Sequence, residues 1–248
     1  MTTPEPWYDA AFRARYLQVY AHRDEDSART EVAFVARLFD ASAGPLLDAG
    51  CGAGRHARAL TEVGFRVLGI DRSMDLLLAA GRPVTPSGDW LHYARADFRA
   101  LPIRSHSLGS VASLFTAFGY FEDDENRGQL QEFRRCLRDD GGLLLDFLNA
   151  DRVRDTLVPR SERVVGDVRV VEERAIRAGR VEKDVTFLDA ATGRRLEGWR
   201  ESVRLYDREQ LEHLLQATGF AVRGVYGDLA GVAWNKTSPR CVLWAATP

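Results

Sequence analysis

Leu46-Leu47-Asp48-Ala49-Gly50-Cys51-Gly52-Ala53-Gly54 is the stretch on which the fold turns. An apolar pair followed by an acid reads as a short buried strand. The alternating glycines read as a tight turn into a helix over 55–63 that presents Ala59, Leu60 and Val63. The rhythm continues downstream. A strand over 66–71 precedes a helix around Leu76-Leu77-Leu78, and further strands are expected over 90–96 and 111–115. A longer helix carries Leu130, Phe133 and Leu137, with Gly141-Gly142 expected to stop it, and 143–147 closes the run as a fifth strand. Strands alternating with helices imply the α/β class, with a parallel sheet covered on both faces.

The flanks follow other patterns. Upstream, Trp7, Phe12, Tyr16 and Tyr20 recur at helical spacing, then His22-Arg23-Asp24-Glu25-Asp26 breaks the pattern. A second helix, with Ser27 expected as its cap, places Val32, Val35 and Leu38-Phe39 on one side. Beyond Asn149, three extended segments over 168–176, 181–188 and 196–206 follow one another without helices, joined by turns at Ala178-Gly179 and Ala191-Thr192-Gly193. They predict an inserted antiparallel β meander. Asp207 then caps a helix bearing Leu211, Leu214 and Leu215, ended by Gly219, and segments 220–226 and 241–246 return as the last strands of the main sheet. The organisation expected is N-terminal helices over 1–42, the core over 43–150, the insertion over 151–206 and the closing helix and strands over 207–248.

The 248 residues are 45% apolar and 28% charged, with a net charge of −2, so a sizeable core forms and no general phosphate-tracking surface is implied. No stretch reaches the length of apolar residues that a membrane helix needs, and Met1-Thr2-Thr3-Pro4-Glu5-Pro6 lacks the features of a secretory signal. Cys51, Cys136 and Cys241 are too scattered for a disulfide framework, and no cluster of metal-ligating residues is visible. A cytoplasmic protein without a metal or a membrane partner is expected.

The glycine turn carries the chemistry. Without Cβ atoms it lets a ligand approach the backbone, while the helix behind it offers unpaired N–H groups and partial positive charge. The crevice outside the carboxyl ends of the strands is the expected ligand site, and Asp71, ending the second strand, is placed to accept from both hydroxyls of a ribose. A dinucleotide fingerprint wants Gly or Ala where this chain has Arg55. The spacing here is G-x-G-x-G, with an acid two residues before the first glycine.

Leu46 to His56 (LLDAGCGAGRH) resembles the first motif of class I S-adenosylmethionine-dependent methyltransferases. The resemblance continues through Val67-Leu68-Gly69-Ile70-Asp71-Arg72-Ser73-Met74, Ala96-Asp97-Phe98, Ser113-Leu114-Phe115-Thr116-Ala117-Phe118-Gly119-Tyr120-Phe121 and 143–149. Tyr16-Leu17-Gln18-Val19-Tyr20-Ala21-His22-Arg23 and Ser238-Pro239-Arg240 look like a bacterial and archaeal branch with a small antiparallel sheet after the fifth strand. The resemblance implies a Rossmann-like seven-stranded sheet and S-adenosyl-L-methionine as cofactor. It implies a cofactor site built from Asp48, Ala49, Gly50, Cys51, Gly52 and Gly54. Asp48 and the backbone of Gly50 would meet the methionine portion, Asp71 the ribose, with Arg72 beside it, and Met74 the adenine. Asp97 would accept from the adenine amine, the amide of Phe98 would read the ring edge, and Phe115 would lie under the sulfonium. Tyr16, Tyr20 and Arg29 would close the pocket, Arg29 toward the cofactor carboxylate. The chain departs from the family where an acid usually precedes the fourth strand, here Leu108-Gly109, and where Pro-Gly usually precedes the fifth, here Asp139-Asp140-Gly141-Gly142.

Methyl transfer from a sulfonium needs alignment and exclusion of water more than a catalytic dyad. Three residues are candidates for a direct part: His56 as a base or as helix packing, Tyr120 as a substrate contact or an aromatic lid, and Arg240 as an anchor for an acidic group or a surface ion pair. After the fourth strand the chain reads Thr116-Ala117-Phe118-Gly119. That is neither the acid or amide with Pro-Pro-aromatic of enzymes that methylate the adenine amine, nor the cysteine a cytosine-ring enzyme requires. A small-molecule methyl acceptor is therefore favoured over nucleic acid. The alternatives are an RNA or protein methyltransferase, a non-catalytic cofactor-binding protein and, disfavoured by Arg55, an NAD-dependent oxidoreductase.

Overall fold

The computed structural model describes residues 6–19, 25–81 and 90–248. Helices α1 (Trp7–Ala11), α2 (Ala14–Val19) and α3 (Glu25–Leu38) precede the first strand. Strands β1 (Leu46–Ala49), β2 (Val67–Asp71), β3 (Leu91–Arg95), β4 (Leu108–Ser113) and β5 (Leu137–Leu148) alternate with helices α4 (Arg55–Glu62), α5 (Met74–Ala80) and α6 (Asp123–Cys136). Helix α7 (Ala150–Thr156) leads to β6 (Arg160–Val165), β7 (Val168–Arg177), β8 (Arg180–Asp189) and β9 (Arg195–Arg204). Helix α8 (Arg208–Ala217) and strands β10 (Ala221–Tyr226) and β11 (Arg240–Ala246) follow.

The main sheet has seven strands in the order β10-β11-β5-β4-β1-β2-β3. The five core strands are parallel, while β11 runs antiparallel to both β5 and β10. Strands β1 and β4 are buried along their whole length, as expected of strands covered on both faces. One face packs on Leu130, Phe133, Leu211 and Leu215, and the other on Val32, Val35 and Leu60. The chain leaves β1 toward β2 on one side and returns to β4 on the other. This reversal opens a crevice at the carboxyl ends of β1 and β4.

The second sheet, β6-β7-β8-β9, is antiparallel throughout. Arg180 ties it to the loop after β4 by donating to the carbonyls of Phe121 and Tyr120 at 3.1 and 2.9 Å, and α1 packs against β9.

Several sequence expectations are corrected. Gly141-Gly142 does not stop a helix, because α6 ends at Cys136 and both glycines lie inside β5. Their role is close approach: a Cβ on Gly142 would stand 2.8 Å from the Phe39 ring. Ser27 is not a cap, since α3 starts at Glu25 and the Ser27 hydroxyl accepts from Arg55 at 3.2 Å. Strand β6 and helix α7 were not foreseen. Strand β6 is a charged edge strand, whose composition hides the apolar alternation that marks a strand. Residues 111–115 do not end as a strand either, because Phe115 and Thr116 turn into the left-handed region at φ 54° and 64°.

Candidate active site

A cavity opens at the crevice between β1 and β4. Gly50 and Gly52 form its floor, Asp71, Leu76, Asp97 and Phe98 one wall, and Leu114, Phe115 and Ala117 the opposite wall. Tyr8, Phe12 and Tyr16 reach over it from α1, α2 and the link between them, and Tyr120 and Phe121 complete the roof. Gly50 sits at φ 85°, and a Cβ there would stand 2.5 Å from that of Ala117. Both the backbone conformation and the close approach of the two strand ends therefore require glycine.

Asp71 is held ready for a diol. One carboxylate oxygen accepts from the Gly52 N–H and the other from the Ser73 N–H, each at 2.8 Å, leaving further lone pairs toward the cavity. Burial raises its pKa, against the pull of those two N–H groups. Asp97 is more occupied than the sequence suggests. It accepts from the backbone N–H of Arg99 and, through both oxygens, from the Arg99 guanidinium. It also pairs with Arg72, which reaches from the cavity wall to Asp9 on α1 at 2.6 Å. Burial works against its charge, yet the Arg99 hydrogen bonds hold the Asp97 carboxyl below the usual range.

The residues present fit S-adenosylmethionine. A Cβ-free floor admits backbone contact, a buried carboxylate faces the ribose position, and the acids at this end of the sheet suit a cationic sulfonium. Asp48 adds to this field from below. It is fully buried, one of its oxygens has no hydrogen-bond partner, and burial, reinforced by the nearby Asp71 charge, pushes its pKa up to about 7. The raised value means the folded state holds a proton that the unfolded chain has released between about pH 4 and 7. Stability from this group is complete below about pH 4 and is lost as pH rises through about 7. Asp48→Asn is therefore expected to become progressively more stable than the parent across that window in the ligand-free protein. Urea midpoints measured from pH 4 to 8 check this, and parallel curves for the two proteins would rule it out.

A second cavity adjoins the first and shares Phe12, Tyr16, Phe115 and Tyr120 with it. Its far wall comes from the meander through Arg174, Val181, Lys183, Glu201 and Val203, and its inner end from Thr116, Leu148 and Arg240. Asp146 organises the junction. Fully buried on β5, it accepts from the Phe115 N–H at 2.8 Å and from Arg240 Nε at 2.7 Å, while Arg240 also donates to the Thr116 hydroxyl. Two consecutive non-glycine residues in the left-handed region are costly and are held here by these bonds. The loop before Arg240 is fixed in turn by Asn149, whose side-chain amide donates to the carbonyls of Asn235, Lys236 and Ser238.

The cavities gather Tyr16, Gly50, Gly52, Asp71, Arg72, Asp97, Phe98, Phe115 and Tyr120, and Arg240 in the second. Other candidates stand elsewhere. Ala49 is buried at the end of β1 and Cys51 in the loop after it, and Gly54 is the left-handed cap of α4 packed against Tyr93. Met74 is a correction: it is 46% exposed and lies outside the first cavity, where Leu76, two residues further along α5, supplies the apolar contact. Arg29 is engaged by Glu62 and Asp26, whose hydrogen bonds raise its pKa, and lines neither cavity. His56 is buried behind Phe115, stacked on its ring at 5.5 Å, with Nε2 2.6 Å from a Glu31 oxygen. Burial holds its pKa down, and it lines neither cavity, so the packing reading replaces that of general base. Tyr20, like His22 and Arg23, lies outside the described residues. Asp146, Glu31, Arg174, Lys183 and Glu201 were not singled out from the sequence. The one local signal for Asp146 is an acid within an apolar strand.

Among the described residues no cluster of metal-ligating side chains occurs, and no helix is long and apolar enough to cross a membrane. Residues 46–141 match the family described as "Methyltransferase domain". A glycine/sarcosine N-methyltransferase of Aphanothece halophytica is 32% identical over 49% of this chain and 47% of its own length. The chain spans about half the length of the curated relatives it matches. Among solved structures, the CcbJ methyltransferase of Streptomyces caelestis superposes with a TM-score of 0.77 at 20% identity, over 89% of this chain and 95% of that one. CalS10 of Micromonospora echinaspora, an amino pentose methyltransferase solved with S-adenosylmethionine bound, superposes with a TM-score of 0.67 at 22% identity, over 94% and 96%. Sheet order, glycine loop, acid positions and family match converge: residues 46–141 form a methyltransferase domain of the class I, S-adenosylmethionine-dependent kind.

Proposed function

We propose that this protein transfers the methyl group of S-adenosylmethionine to a small-molecule acceptor held beneath the four-stranded sheet. The observation that carries the reading is that the cavity at the glycine loop and the cavity under the meander adjoin, sharing Phe12, Tyr16, Phe115 and Tyr120. Bound S-adenosylmethionine supplies an electrophilic methyl carbon and a neutral thioether as leaving group.

The chain's own part is placement. Gly50, Gly52 and Asp71, which line the first cavity, would hold the donor end, the Asp71 carboxylate receiving the ribose hydroxyls. Phe115, fixed by Asp146 and backed by His56, forms a wall common to both cavities and would align an acceptor's lone pair with the methyl group. Tyr120, stacked on Phe12 at 5.5 Å and set edge-on to Trp7 at 5.0 Å, closes the aromatic roof that keeps water out. An amine or hydroxyl acceptor would release its proton to solvent water once the new bond to the methyl carbon has formed. The covered position of the second cavity favours small molecules over polymers, as does the net charge of −2. The thiols of Cys51, Cys136 and Cys241 are free and buried, in keeping with a reducing, cytoplasmic setting.

Calorimetric titration with S-adenosylmethionine and with NAD tests the donor, and labelled methyl transfer to metabolite extracts tests the reaction. Binding of S-adenosylmethionine alone, with label appearing in a small product, is expected. Binding of NAD but not of S-adenosylmethionine would overturn the reading.

A further inference from the structure

Strands β7, β8 and β9 set Arg174, Lys183 and Glu201 in one rung: Arg174 is the register partner of Lys183, and Lys183 of Glu201. Register partners in antiparallel strands point to the same face, and all three line the second cavity. Two cations directly opposite each other on a covered face destabilise a sheet. A rule broken at such a place marks function more than packing. Arg240 faces them from the core side of the same cavity, with Nε and Nη2 engaged and Nη1 without a partner among the described residues.

The charge toward the cavity is lopsided. Among the described residues, three cationic side chains line it against one carboxylate, Glu201, which already receives Lys183 at 2.8 Å. The carboxylates that offset the arginines do not line the cavity. Buried Glu172 takes Arg174, Arg163 and the Ser161 hydroxyl on one oxygen, and Asp146 takes Arg240 and the Phe115 N–H. The near wall is aromatic: Trp7, Phe12, Phe115 and Tyr120.

We infer that the methyl acceptor is an organic anion, its carboxylate or phosphate received by Arg174, Lys183 and Arg240 and its apolar body lying against the aromatic wall. The inference rests on the methyl-transfer reading and adds the acceptor's chemical class. Guanidinium and ammonium groups converging on a shielded cavity give an anion several charge-assisted hydrogen bonds, and the same groups repel an amine.

The test uses the full chain saturated with S-adenosylhomocysteine and titrated calorimetrically with benzoate, phenyl phosphate, benzylamine and benzyl alcohol. At least one of the two anions is expected to bind at least tenfold more tightly than benzylamine and benzyl alcohol, and preference between them identifies the anionic group. Lys183→Gln is expected to weaken that binding at least tenfold with the S-adenosylhomocysteine affinity unchanged, Lys183→Arg to restore most of it, and Arg174→Gln to reproduce the loss. Absence of anion binding, binding of benzylamine or benzyl alcohol as tight as that of the anions, or indifference to both glutamine variants would overturn the inference. Failure of S-adenosylhomocysteine to bind would instead strike the reading on which it rests.

Discussion

Asp71→Ala is expected to lower the affinity for S-adenosylmethionine about a hundredfold, with calorimetry at pH 7.5 as the check. The carboxylate lies at the end of β2 on the cavity wall, fixed by the N–H groups of Gly52 and Ser73. Two ribose hydroxyls donating to it form hydrogen bonds to a charged group, each worth about 1.5 kcal/mol or more. Two such bonds correspond to roughly a hundredfold in affinity. Asp71→Asn keeps one acceptor oxygen and is expected to lose about tenfold. Because burial already raises the Asp71 pKa, neither variant removes a charge that stabilises the ligand-free fold, and the loss appears in binding more than in unfolding. Unchanged affinity in Asp71→Ala would remove the ribose assignment.

Arg240→Met is expected to destabilise the protein by about 3–5 kcal/mol. It leaves Asp146, with no exposed surface, as a buried carboxylate stripped of its cation. The consequence extends to Phe115 and Thr116, whose left-handed backbone is held by bonds to Asp146 and Arg240. The double variant Arg240→Met, Asp146→Asn removes the stranded charge and keeps an acceptor for the Phe115 N–H, so most of the loss is expected to be regained. Urea unfolding of the two single variants and the double one closes the cycle, and additive losses would show that the pair is not coupled.

The alternation of strand and helix from Leu46 to Leu148 was legible because each element is local. The apolar runs, the glycines after β1 and the capping acid of α8 carry their meaning within a few residues. Helix and strand ends were less legible. Gly141-Gly142 looks like a stop in isolation, yet β4 and β11 on either side draw it into the sheet and Phe39 occupies the space a Cβ would need. Met74 and Arg29 were misplaced for a related reason: a motif sets a position along the chain, not the direction of a side chain. Met74 points to the outside of α5, and Arg29 spends its charge on Glu62 across the α3–α4 contact.

By itself, the sequence determined the donor half of this protein: a glycine floor at φ values other residues avoid, and an acid at the end of the neighbouring strand, both set by backbone geometry within one βαβ unit. The acceptor half was decided by tertiary structure alone. Arg240 meets Asp146 across 94 positions, and Trp7 and Phe12 line one cavity with Tyr120 and Lys183, far along the chain. Such contacts arise from an antiparallel strand closing the main sheet and a second sheet folding back over its strand ends. Neither leaves a periodic trace in the local sequence, because the pairing depends on which surfaces meet and not on the spacing of residues along either one.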